Sequence, residues 1–158
     1  MRNLELPGRS PAHGVNGMVA TSHTLSTATA LDILRRGGNA MDAAIAACAV
    51  QCVVEPESTG IGGDCFCLYA PDGSDKIIAF NGSGKAPMAA SLEWYLENGF
   101  AEIPRQSPHA AVVPGAVDAW HQLNRDHGSL ELDVLLQPAI SYARDGYPIS
   151  SRVSIDFA

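Results

Sequence analysis

The sequence predicts an α+β fold, mostly helices around one β-hairpin, and three observations predict it. A small-residue apolar stretch, Ala40 to Val54, is bracketed by Gly37-Gly38-Asn39 and Glu55-Pro56. Two short runs rich in strand formers, Cys65 to Ala70 and Lys76 to Phe80, flank the turn composition Pro71-Asp72-Gly73-Ser74. The other apolar residues recur at three- and four-residue spacing, the period of a helix with one buried face.

Taken in order, residues 1 to 16 have Pro7, Gly8, Pro11 and Gly14 and no period, and read as an extended lead-in. Gly17 to Thr21 reads as a short strand. Ser22 or Thr24 caps a helix running to about Arg36, with Leu25, Ala28, Leu31 and Leu34 inward. Arg35 and Arg36 suit its last turn, Gly37-Gly38 stops it, and Asn39 caps the next helix. That helix, Ala40 to Val54, is apolar almost all round, interrupted only by Asp42 and Gln51. Such a helix is buried on all sides, here against a sheet face. Its 15 residues are too few to cross a bilayer, which takes about 20.

A glycine loop, Thr59 to Asp64, leads into the hairpin, and a second, Asn81 to Pro87, follows it. Antiparallel pairing brings the two loops together. Ser91 to Asn98 is a short helix stopped by Gly99. His109 to Val113 is an extended run into Pro114-Gly115. Ala116 to Asp126 is a helix with Val117, Trp120 and Leu123 inward. Leu132 to Asp145 is another, which Pro138 should kink or divide. Ser150 or Ser151 caps a last helix near Arg152 that Ala158 cuts short, as in an N-terminal piece of something longer.

The chain has 158 residues, enough for one modest domain, 1–158, with no internal boundary. Hydrophobic content of 46% and charged content of 17% exclude a disordered chain. A net charge of −7 argues against nucleic acid as a partner and serves solubility. Residues 1 to 14 hold no apolar run, so no secretory signal is visible, and no membrane association is expected. Cys48-x3-Cys52 and Cys65-x-Cys67 lack zinc-knuckle spacing and read as buried thiols in a reducing cytoplasm, not metal ligands or disulfides.

The candidate chemistry lies in the glycine loops. Gly60-x-Gly62-Gly63 is not a phosphate loop, because Asp64 follows where Gly-Lys-Ser/Thr belongs, and it opens a strand, not a helix. It is either a backbone passing close to another segment or a site wall whose N–H groups reach a substrate. Ser83, in Gly-Ser-Gly-Lys, lacks the spacing of a nucleophile elbow and reads as a polar contact. Lys85 is a candidate carboxylate anchor. His13, His23, His109, His121 and His127 show no metal spacing, His121 and His127 decorating a helix face and its end. No cofactor is expected.

The motifs Gly17-Met18-Val19-Ala20-Thr21-Ser22, Leu34 to Ala44, Val54-Glu55-Pro56, Ser58 to Gly63 and Val113-Pro114-Gly115-Ala116-Val117 stand in this order. Together they resemble the opening of γ-glutamyltransferases, over nearly the whole chain from about Arg9. The resemblance implies the N-terminal part of a large subunit in an N-terminal-nucleophile hydrolase, a four-layer αββα sandwich. It implies a proenzyme that cuts itself, in glutathione or related amide metabolism. The nucleophilic threonine then leads a small subunit, the partner of this chain. None of Thr21, Thr24, Thr27, Thr29 or Thr59 sits in that cleavage context, so no catalytic residue is expected here and the fragment alone should be inactive.

The family places an arginine three residues before Ala86-Pro87, to clamp a substrate carboxylate; here that position is Ser83. This form is similar to the oxamate amidohydrolase-like and cephalosporin-acylase-like branch. The substrate expected is a small amide or γ-glutamyl compound, met by Ser83, Lys85, Gly62 and Gly63. A homo-oligomer is compatible with all of this. The alternative is a non-catalytic binding or assembly domain, a true short chain or a decayed gene.

Overall fold

A computed structural model describes residues 11–157. The expected lead-in falls mostly outside these residues, as does Ala158. The helices are α1 Thr24–Arg35, α2 Ala40–Val54, α3 Leu92–Glu97, α4 Ala116–His127, α5 Leu132–Asp145 and α6 Ser151–Asp156. The strands are β1 Cys65–Tyr69 and β2 Ile78–Gly82, paired antiparallel with Cys65 opposite Gly82 and Tyr69 opposite Ile78. Single helical turns at Pro71–Gly73 and Pro108–Ala110 complete the regular structure of the described residues. The architecture is the expected α+β one, rich in helix with a small sheet.

The core forms around α2, which packs on α1, α5 and α4. Ala46, Val50 and Val54 are fully buried, as are Ile33 of α1 and Leu135 of α5 at 1% exposure or less. Small side chains on α2 let α1 approach closely enough for Ser26 Oγ to donate to the Ala47 carbonyl at 2.8 Å. The α1–α2 turn forms because Gly37 takes φ +92, which residues with a Cβ rarely adopt. Asn39 then caps α2 as expected. Its side chain accepts from Met41 and Asp42 N–H, and Asp42 returns the bond to the Asn39 N–H.

Several expectations are corrected. Gly17 to Thr21 forms no strand, because no partner strand among the described residues pairs with it. The cap of α1 is His23, whose Nδ1 accepts from the Leu25 N–H at 3.2 Å. Ser22 instead donates to Glu55, and Thr24 is already helical. The buried residues of α1 are Ser26, Thr29, Ala30 and Ile33, while Ala28 is exposed. Leu25 and Leu34 pack against the core half-buried, as expected, beside this fully buried row.

Helix α2 is not covered all round. Ala40, Ala44 and Cys48 form an exposed stripe. They floor a cavity of about 820 Å³ whose far wall is the Asn16 to Ser22 segment. The helix that sits on the hairpin is α4. It buries Ala116, Ala119, Trp120 and Leu123, whereas Val117 is exposed. Helix α5 runs undivided through Pro138. The carbonyl that Pro138 leaves without a helical partner belongs to Val134, an exposed residue, so water can satisfy it. The return strand starts at Ile78 and not Lys76, because the turn reaches further than its four-residue signature.

Candidate functional site

The site is built from three segments that meet at the end of the hairpin: the loop before β1, the loop after β2, and the run into α4. The antiparallel register sets Gly63 and Asp64 beside Ser83 and Gly84. The Gly63 carbonyl accepts from both the Gly115 N–H at 3.0 Å and the Ala116 N–H at 2.9 Å, which fastens the first loop to the start of α4. Gly115 lies so close to the second loop that a Cβ there would fall 2.4 Å from the Gly82 oxygen and 2.9 Å from the Gly84 nitrogen. A Cβ on Gly84 would fall 1.7 Å from the Val113 oxygen. These glycines are required by close backbone approach.

Gly60 and Gly62 are different. A Cβ at either would meet nothing within 4 Å, and both are exposed. Close approach therefore explains Gly84 and Gly115 but not Gly62.

Gly63 and Ser83 are brought together across Gly115, and Lys85 is next in line. The Ser83 N–H donates to Asn81 Oδ1 at 3.0 Å, the Gly84 N–H to Asp64 Oδ1 at 2.8 Å, and the Val113 N–H to the Lys85 carbonyl at 3.0 Å. The backbone is thus fixed residue by residue, while the side chains of Ser83 and Lys85 are exposed and make no hydrogen bond or ion pair among the described residues. Local sequence pattern assigns no site role to Asp64, Asn81 or Gly115. The register of the predicted hairpin was the available signal for Asp64.

Under the first loop lies a cavity of about 280 Å³ bounded by Cys48, Cys52, Cys65, Thr59, Asp64 and Trp120 among others. All four cysteines are free; where buried thiols were expected, Cys52, Cys65 and Cys67 are half-buried, and Cys48 opens onto the uncovered stripe of α2 while protein still crowds its other sides. Desolvation by the surrounding protein, with the thiols of Cys65, Cys52 and Cys67 close by, pushes the Cys48 thiol up to about 11. Burial raises the other three as well.

Three of the histidines take structural places, while His13 and His121 are exposed. His127 lies against Tyr69 with ring centroids 5.0 Å apart. His109 packs against Trp94, Tyr95 and Phe100 at 4.8 to 5.8 Å. His23 is 4% exposed, and its Nε2 has no partner among the described residues. No described helix is long and apolar enough to cross a membrane.

Comparison with known proteins places the chain. The profile of the gamma-glutamyltranspeptidase family matches residues 26–157. The glutathione hydrolase-like YwrD proenzyme of Bacillus subtilis is 37% identical over 139 residues, 87% of this chain and 26% of that protein. The oxamate amidohydrolase proenzyme of Klebsiella pneumoniae is 42% identical over 142 residues, 86% of this chain and 26% of the relative. The crystal structure of cephalosporin acylase from Bacillus halodurans superposes with a TM-score of 0.82 at 39% identity, over 96% of this chain and 29% of that one. The chain thus spans about a quarter of the curated relatives it matches. It belongs to the gamma-glutamyltranspeptidase family, as an N-terminal part.

Proposed function

We propose that this chain is part of the large subunit of a self-processing amidohydrolase or acyltransferase, and forms one wall of its acyl site. The observation that carries the reading is the meeting of three loops that fix the backbone of Ser83 to Lys85 and leave the Ser83 hydroxyl and Lys85 amine without a partner among the described residues. Those two groups suit a compact polar acyl group, a small amide acid or a γ-glutamyl compound. The exposed Gly62, open on its side, and the neighbouring Gly63 offer backbone to the same ligand. The nucleophile is the N-terminal threonine of a second subunit. Its hydroxyl adds to the acyl carbon, its own amine takes the proton and passes it to the substrate nitrogen, and the C–N bond breaks to release the amine and leave an acyl ester. Water or an acceptor amine then completes the reaction. This chain alone is inactive.

The proenzyme character of the relatives supports a subunit partner. The uncovered stripe of α2 and the unpaired Gly17 to Thr21 segment support its seat in the large cavity, where an added strand would find free backbone groups. The free thiols support a reducing compartment, the cytoplasm.

The test is intact mass and N-terminal sequencing of the protein purified from its native source, followed by an amide screen. A companion chain starting at threonine and turnover of small amides or γ-glutamyl donors are expected. A single species of 16.6 kDa without turnover overturns the reading, in favour of a binding or assembly domain.

A further inference from the structure

We propose that Asp64 is a positioning residue for the acyl-binding wall, an inference that rests on the amidohydrolase reading above. The hairpin ladder ends at the Cys65–Gly82 pair. One step beyond it the register sets Asp64 opposite Ser83. No backbone bond forms there. Instead the Asp64 carboxylate accepts the Gly84 N–H at 2.8 Å, adding a rung where the ladder has stopped. Of the three bonds that fix Ser83, Gly84 and Lys85, this is the one that reaches across from the first glycine loop. The Ser83 bond stays within its own loop, and the Lys85 bond goes to Val113.

Gly84 is held from two sides. Val113 blocks one, since a Cβ on Gly84 would lie 1.7 Å from its oxygen. Asp64 holds the other. Without the carboxylate the Gly84 N–H loses its partner, and the stretch is tied across only by the Val113 N–H on the Lys85 carbonyl, so the Ser83 and Gly84 peptides loosen. The Ser83 hydroxyl and Lys85 amine then lose their fixed origin. These groups bind the acyl portion, and the nucleophile lies elsewhere. The loss therefore falls on binding and not on the chemical step.

The experiment uses the full-length processed protein and a small amide donor. Asp64→Ala is expected to raise KM about tenfold with kcat within about twofold, since lost binding that ground and transition states share raises KM and spares kcat. Asp64→Asn, whose side-chain oxygen can accept the same N–H, is expected to restore KM to within about threefold of wild type. In a Ser83→Ala/Lys85→Ala background, Asp64→Ala is expected to have no further effect, because it acts through those two groups. Amide exchange at Gly84 gives a readout apart from activity: faster in Asp64→Ala, protected in Asp64→Asn. An unchanged KM in Asp64→Ala overturns the proposal. So does Asp64→Asn as damaging as Asp64→Ala, or full additivity with the double variant. If the wild-type protein turns over no amide, the amidohydrolase reading falls and takes this inference with it.

Discussion

The carboxylate of Asp42, wholly buried at the start of α2, accepts the Ser129 N–H on both its oxygens, at 3.0 and 3.1 Å. It also accepts from Leu130 N–H at 3.4 Å and from Asn39 N–H at 2.9 Å. One side chain therefore closes the cap of α2 and ties it to the loop between α4 and α5. Asn39 Nδ2 adds a bond to the His127 carbonyl at 2.7 Å. Asp42→Ala strands buried donors, and should cost about 3 kcal/mol. Asp42→Asn keeps one acceptor oxygen and should cost less, about 1–2 kcal/mol. Urea denaturation of both variants checks the order; equal losses would refute it.

Gly84 and Gly62 should respond oppositely to the same methyl group. Gly84→Ala puts a Cβ 1.7 Å from a backbone oxygen, so the two segments must separate. A loss of more than about 3 kcal/mol, or failure to fold, is expected. Gly62→Ala meets nothing within 4 Å and should change stability by less than about 1 kcal/mol. If Gly62 borders the acyl group, its variant raises KM while thermal stability holds. Thermal melts and steady-state kinetics on the pair separate the two roles of glycine.

Much of this was legible because local chemistry decided it. Asn39 and the glycines bracketed α2 to the residue, and the turn between the two β runs gave the hairpin and hence the meeting of the loops. The failures share a cause. Whether Gly17 to Thr21 is a strand, and whether Ala44 and Cys48 are covered, depends on what lies beside them, which no local pattern encodes. His23 was missed as a cap because an imidazole acceptor is uncommon there. Asp64 looked only like a reason to exclude phosphate, since its partner Gly84 is twenty residues away and known only through the register.

The segment between Lys85 and Val113 should behave as a separate unit. None of the residues of α3 is buried. Its order comes from rings of Trp94, Tyr95, Phe100 and His109, every pair with centroids 4.8 to 6.2 Å apart. Trp94→Ala removes three of these contacts, and should loosen the segment by about 2–3 kcal/mol. Hydrogen exchange should rise from Ser91 to Gly99 and stay slow in α2. Uniform acceleration throughout the chain would show instead that this segment and the core unfold together.

The Cys48 thiol, raised to about 11, should alkylate slowly although its surface faces a cavity. At pH 8 it holds roughly 200-fold less thiolate than a thiol of pKa about 8.5. The higher intrinsic nucleophilicity of a more basic sulfur offsets about tenfold of that, leaving a net deficit of about twentyfold. The rate should keep climbing to pH 11, where an unperturbed thiol has levelled off above pH 9. Stability follows with a definite sign. The folded chain holds its proton where the unfolded chain gives it up, so this contribution is full below about pH 8.5 and is lost as pH rises through 11. Cys48→Ser should flatten that alkaline loss in part, the remaining thiols being raised too. Mass-resolved iodoacetamide labelling across pH measures the first effect and urea denaturation at pH 8 and 10 the second. A Cys48 rate that plateaus by pH 9 would mean that water solvates the thiolate and that the stripe of α2 is wetter than its lining implies.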